Sequence, residues 1–222
     1  VVRRNARARR LSLRVCSATR TLRLTLPPRV SGAQAAAFLE AHRGWIAAQA
    51  ERRLAPVLPF APGVVLPLGD GRLWLAAGDG RVARREGDRL LVPGDGMLFA
   101  RRVRRWLMAE ALAVLEPPTR ALAQGIARPV ASVVVGDYRS RWGSCLAPRH
   151  GAGGRIAYSW RLVMAPGFVQ RALVAHEVAH LAEPNHGPAF WGLATGLLGG
   201  SHDAARAWLR AHGPGLHAIG AG

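Results

Sequence analysis

Not one lysine occurs in this chain of 222 residues; all 31 basic side chains are arginine, against 13 acidic ones. That exclusivity, beside abundant Ala and Gly, reads as coding bias as much as selection for a binding surface. Cysteine is scarce too: Cys16 and Cys145 are too few for a disulfide framework. No apolar run approaches the ~20 residues that span a bilayer, which argues against a membrane protein. The Arg-rich start has no apolar signal-peptide core. A cytoplasmic location is the default expectation. Half of the residues are hydrophobic and only a fifth charged, so the chain is globular and long enough to bury one large core or two small ones.

The net charge of +18 is unevenly spread, with nine Arg and no acid before Glu40. Such a surface attracts nucleotides, nucleic acid or acidic proteins through long-range electrostatics. Strands with Arg on a solvated face explain the same pattern.

What the chain does have is a metal-site pattern. His176-Glu177-Val178-Ala179-His180 puts two imidazoles four residues apart, hence on one face of a helix. The Glu beside the first can serve a water at the metal. Six residues further on comes His186, past Pro184, which must break the helix and let the chain turn back. Three neutral nitrogen ligands leave a fourth position open, the mark of a catalytic Zn²⁺ site. The segment from Pro166 to Leu181 is otherwise strongly apolar, with Val169, Leu173, Val174 and Val178. Polar groups on a core helix need a reason, and a metal supplies one.

The expected fold class is α+β, with a basic, β-rich N-terminal region carrying one helix over residues 1–96 and a zincin-like catalytic region over residues 97–222. Alternation predicts strands at 11–15 and 22–26. Ser31 followed by Gln34 predicts a capping box opening a helix to about Arg53. Four short strands follow between Val64 and Val92, with Gly69-Asp-Gly71, Gly78-Asp-Gly80 and Glu86-Gly-Asp88 as hairpin turns. A helix over 98–115 is expected to stop at Pro117-Pro118, with Thr119 capping a second, short one. Strands are expected at 130–135 and 156–163, a Gly-rich loop at 148–154, and helices from about Pro188 and around Trp208. The runs Arg139–Cys145 and Ile156–Val163 are the expected places for a sheet edge that takes an extended peptide.

Arg141-Trp-Gly-Ser-Cys145, Trp160-Arg-Leu162, Ala165-Pro166, His176-Glu-Val-Ala-His-Leu181, Asn185-His186 and Phe190-Trp191 follow one another in order. In this order the chain resembles the YgjP-like zinc metallopeptidases, relatives of the SprT-like proteins in the gluzincin and metzincin-like superfamily. The motifs cover roughly residues 139 to 191, and weaker similarity extends over nearly the whole chain. The resemblance implies His176, His180 and His186 as zinc ligands and Glu177 as acid/base. It also implies a polypeptide substrate, although UTP pyrophosphatase activity is ascribed to the family as well. Arg141 and Tyr158, on flanking strands, are candidate transition-state or substrate contacts; a salt bridge and strand packing explain them equally. His202 is a possible substitute ligand should His186 point away, and Asp203 or Glu183 a possible partner orienting a ligand imidazole. A non-enzymatic, nucleic-acid-binding zinc module is the third functional class, though three His beside a Glu make a poor closed structural site.

Overall fold

The structure is a computed structural model that describes residues 1–16, 21–53, 56–147 and 153–220. Its architecture is α+β, as expected, with strands leading the chain and the histidine-bearing helix in the C-terminal half. The expected Gly-rich loop at 148–154 lies largely outside the described residues.

Strands β1 (Val2–Arg4), β2 (Ser12–Cys16) and β3 (Thr21–Leu26) form a sheet in the order β1-β3-β2. Alternation does its work here. Leu24 and Leu26 are buried against Ala35, while Arg23, just before Leu24, faces out. The capping box forms, with Gln34 N donating to Ser31 Oγ at 3.2 Å and Ser31 N to Gln34 Oε1 at 2.9 Å. The single helix expected to Arg53 is instead two, α1 (Gly32–Ala41) and α2 (Arg43–Arg53). His42 makes the break. Its Nδ1 takes the Phe38 carbonyl at 2.8 Å, the acceptor its own backbone N–H would use in a continuous helix. That N–H turns to the Leu39 carbonyl at 3.2 Å.

The second sheet runs β4-β5-β7-β6, from β4 (Val65–Leu68), β5 (Gly71–Ala77), β6 (Arg84–Glu86) and β7 (Arg89–Val92). Gly69 and Gly87, at φ 57° and 62°, make the expected hairpin turns. Gly78-Asp-Gly80 does not. After it the chain crosses to the far side of β7, which pairs with β5 in parallel. Burial explains this order: Leu73, Leu75, Leu90 and Val92 fill the centre, and the exposed Arg84, Arg85 and Glu86 suit an edge.

Helix α3 (Gly96–Gly125) corrects a second expectation, since it passes through Pro117 and Pro118 unbroken. Phe99, Val103, Leu107, Ala111, Leu115, Thr119 and Ala123 form one buried stripe at spacing four. Both prolines lie on the exposed side, as do Ala113 and Val114, whose carbonyls they leave without partners for water to satisfy. On the buried side Thr119 is no cap; its hydroxyl donates to the Leu115 carbonyl at 2.6 Å.

The third sheet has the order β8-β10-β9, from β8 (Val130–Gly136), β9 (Gly143–Leu146) and β10 (Gly154–Ser159). The strand expected to reach Val163 stops at Ser159, and Trp160–Met164 wind into a buried 3-10 turn. Asp137, just past β8, accepts both from Trp160 Nε1 at 3.2 Å and from the fully buried Arg161 guanidinium. Neighbouring side chains in a strand point to opposite faces, so one carboxylate can gather both only if the chain turns.

Helices α4 (Gly167–Ala179), α5 (Pro188–Leu198) and α6 (Asp203–Ala218) complete the fold. A single hydrophobic cluster, running from Phe60 to Ile219, joins the second and third sheets to α3, α4 and α6. The boundary expected at residue 96 falls between two stretches of this shared core. Among the described residues no helix is long and apolar enough to cross a membrane.

Buried His217, on α6, packs against the Trp142 ring at 4.7 Å and feels the Arg161 and Arg139 charges. Burial first, and then those cations, push its pKa from 6.5 down to about 4. The folded state thus rejects a proton that the unfolded chain accepts. Its contribution to stability is intact above pH 6.5 and is lost as pH falls toward 4. Acid melts of wild type and His217→Gln check this; the variant should lose less stability across that window.

Candidate metal centre

Helix α4 is largely buried, and its C-terminal end carries His176, Glu177 and, at the cap, His180. The helix stops at Ala179, with His180 as its cap. Glu183 N closes this end on the Ala179 carbonyl at 2.9 Å, and Pro184 follows. The chain then doubles back and brings in His186. His176, His180 and His186 converge, with one ring nitrogen from each within 4.8 Å of the others. His186 Nε2 lies 3.1 Å from His176 Nε2. A tetrahedral Zn²⁺ with bonds of about 2.0–2.1 Å holds its nitrogens about 3.3–3.4 Å apart, so the pair needs little adjustment.

Two further observations fit a cation. His180 Nδ1 lies 3.1 Å from the Glu183 backbone carbonyl. A carbonyl only accepts, so Nδ1 carries the proton and the Nε2 lone pair is free for a metal. It is this carbonyl, and not a Glu183 or Asp203 carboxylate, that orients the His180 ring. Asp203 is 86% exposed and engaged with Ser201 and Arg206. Burial also holds His176 down to about pKa 4, with the other imidazoles adding to the shift, and lowers His180. Both are neutral at pH 7, the form that ligates. Fully buried Phe190 backs the triad from α5, its ring 4.9, 4.5 and 4.6 Å from those of His176, His180 and His186.

Glu177 points toward Gly143 on β9. It is 4% exposed, and burial raises its pKa to about 8 against the opposing charge of Arg141. A family model described as YgjP-like, metallopeptidase domain, matches residues 9–212. The chain belongs to the YgjP-like family. No curated protein and no solved structure gives a significant match.

In this YgjP-like domain the sequence motif Arg141-Trp-Gly-Ser-Cys145 has a physical role that sequence reasoning missed. A side-chain carbon on Gly143 would lie 2.7–2.8 Å from Glu177 Cδ and Cγ, so only a bare backbone lets the carboxyl sit against β9. The φ of Gly143 is not positive, so alanine is allowed by the backbone and excluded only by Glu177. Gly143→Ala should therefore keep the fold and any metal, while displacing Glu177 and cutting turnover by about 10²-fold. Melting temperature and turnover measured together check it; full turnover would mean that Glu177 need not sit there.

The edge strand comes from the Arg139–Cys145 run, because β9 has no partner on its outer side among the described residues. The Ile156–Val163 run supplies the central strand instead. Arg141 is exposed, lies 4.8 Å over the Tyr138 ring and lines, with Ser144, Cys145 and Arg155, a cavity of about 270 Å³ beside that edge. Tyr158 is corrected. It is 0% exposed, its hydroxyl shared with Thr119 at 2.9 Å, so it packs β10 onto α3 and has no access to substrate. Cys145 is half-buried, and burial, with the Glu177 charge, pushes its thiol up to about 12, far from a nucleophile. His186 does reach the cluster, so His202 is not a substitute ligand; its ring centre is 6.3 Å from that of His176. His42 and His212 pack on Phe38 and Trp208.

Proposed function

We propose that this YgjP-like domain is a zinc-dependent metallopeptidase acting on extended polypeptide. The observation that carries the reading is the convergence of three imidazoles on the helix turn that carries a buried carboxyl, next to a strand edge unpaired among the described residues. Zn²⁺ bound by His176, His180 and His186 would supply Lewis acidity, lowering the pKa of water toward about 7 and polarising a carbonyl. The rest is the work of the chain. The outer N–H and C=O groups of β9 hold the substrate backbone as an added strand. Glu177 takes the proton of the attacking water and returns it to the leaving amine. Arg141, free of any acidic partner among the described residues and close enough to act on Glu177, is the proposed donor to the developing oxyanion. The buried α4 and Phe190 keep the triad fixed while this happens.

A second reading, hydrolysis of a nucleotide such as UTP, is favoured by one observation. Arg141 and Arg155 line the same cavity beside β9, and guanidinium forks suit phosphates. A nucleic-acid-binding role for the Arg-rich N-terminal sheet has only its exposed Arg side chains behind it. The deciding experiment offers the zinc-loaded protein unfolded polypeptide and UTP in parallel, with Glu177→Gln as control. Glu177-dependent peptide cleavage is the expected result. Pyrophosphate release without peptide cleavage would replace the peptidase reading by the second.

A further inference from the structure

The register between β9 and β10 sorts their side chains onto two faces. Gly143 pairs with Tyr158, and that face packs on α3 and α4, with Tyr158 bonded to Thr119 and Glu177 set against Gly143. Ser144 pairs with Ala157 and Leu146 with Arg155, so these four lie on the opposite face. They line a cavity of about 270 Å³ there, together with Tyr138 and Arg141. Arg141 and Arg155 are both exposed, and neither is in an ion pair among the described residues. Two cations on one small cavity repel each other, and no described carboxylate pairs with either. Leu146, 61% exposed, adds an apolar surface to the same cavity, and the Tyr138 ring lies 4.8 Å beneath the Arg141 guanidinium.

We propose that this cavity is the subsite for an acidic side chain of the substrate, carried by a residue flanking the cleaved bond on a strand laid along β9, and that Arg155 determines the preference. The assignment rests on the peptidase reading for the statement that the carboxylate belongs to a polypeptide. The outer side of β9 has no partner among the described residues. A strand added there lies about 4.8 Å away and sends alternate side chains to the two faces. A residue level with Gly143 faces Glu177, so its neighbour, level with Ser144, faces the arginines. Arg155 stands one strand further in, a gap that a glutamate and an arginine side chain close together. A guanidinium takes a carboxylate through two parallel N–H···O bonds, while Leu146 and Tyr138 cover the methylene stem. Lysine or arginine in the same place would be repelled. The volume is below the about 300–1,000 Å³ of pockets that take whole small molecules, which favours a side chain over a nucleotide. Arg141 serves the oxyanion in the proposed mechanism; Arg155 lies outside that chemistry and is left to select.

The test offers the full, zinc-loaded chain peptides that are identical except for a single Glu, Gln or Lys, placed at each position around the cleaved bond in turn. At one flanking position kcat/KM should rank Glu above Gln above Lys, with Glu roughly fivefold better than Gln. Arg155→Gln should abolish that ranking and Arg155→Lys should keep it. Arg155→Glu should invert it, so that Lys is cleaved faster than Glu, an outcome that a damaged fold does not produce. In parallel, labelled Glu and Gln peptides are titrated onto zinc-loaded Glu177→Gln by fluorescence anisotropy, with UTP as competitor. The Glu peptide should bind roughly fivefold more tightly, and UTP at equal concentration should not displace it. Absence of any ranking at the flanking positions in wild type, or an unchanged ranking in Arg155→Glu, would overturn the assignment. So would UTP that displaces the Glu peptide and itself loses affinity when Arg155→Gln is added, since the cavity would then belong to a phosphate. Peptide cleavage without the ranking sinks the subsite alone. An Arg155-dependent preference in binding, with no peptide cleaved by wild type, sinks the peptidase reading and leaves the carboxylate site standing.

Discussion

Glu177→Gln should leave the protein folded and metal-loaded while turnover falls by about 10²–10⁴-fold, the span that a positioned general base contributes. The substitution keeps the shape of a side chain that is 4% exposed and wedged against Gly143, so packing is preserved. It removes only the ability to take and return a proton. Wild-type Glu177 places a carboxyl where burial disfavours its charge, so the neutral amide should melt no lower than wild type. Loss of activity without loss of stability separates a chemical role from a structural one. Retained turnover would remove Glu177 from the mechanism and leave the burial of its carboxyl without a purpose.

Metal removal should be visible as a loss of thermal stability. A ligand that binds only the native state, at a free concentration 100 times its Kd, adds about 2.7 kcal/mol. For a chain of this length each kcal/mol corresponds to about 2–4 °C, so a chelator should lower the melting temperature by about 5–10 °C. His180→Ala should melt at the same temperature with and without zinc. Its imidazole is held by the Glu183 carbonyl with Nε2 turned to the other two histidines, and alanine removes that donor. A variant that still gains the full shift on adding zinc would place the metal elsewhere.

The helix of the candidate metal centre could be read directly because its information is local. Spacing of four between His176 and His180, an apolar surround and a helix-breaking Pro184 before His186 all lie within a few turns. The N-terminal strands and the capping box at Ser31 are legible for the same reason. What the sequence conceals depends on partners far along the chain. The need for glycine at 143 exists only because α4 presses Glu177 onto β9. Tyr158 looked available for chemistry on an alternating strand, but α3 covers it and Thr119 occupies its hydroxyl. Trp160 and Leu162 continue that alternation faultlessly, yet Asp137 draws Trp160 and Arg161 to one side and ends the strand. Pro117 and Pro118 are strong local stop signals, overridden where both face water and the buried stripe of α3 continues beneath them. Local rules failed where tertiary burial had more to gain.

The most direct measurement is the zinc content of purified wild type beside His176→Ala, His180→Ala and His186→Ala, after dialysis against a fixed free zinc concentration. One zinc per chain in wild type, and loss of it in each variant, is what the convergent imidazoles require. One zinc per chain retained in the alanine variants would contradict the account at its centre.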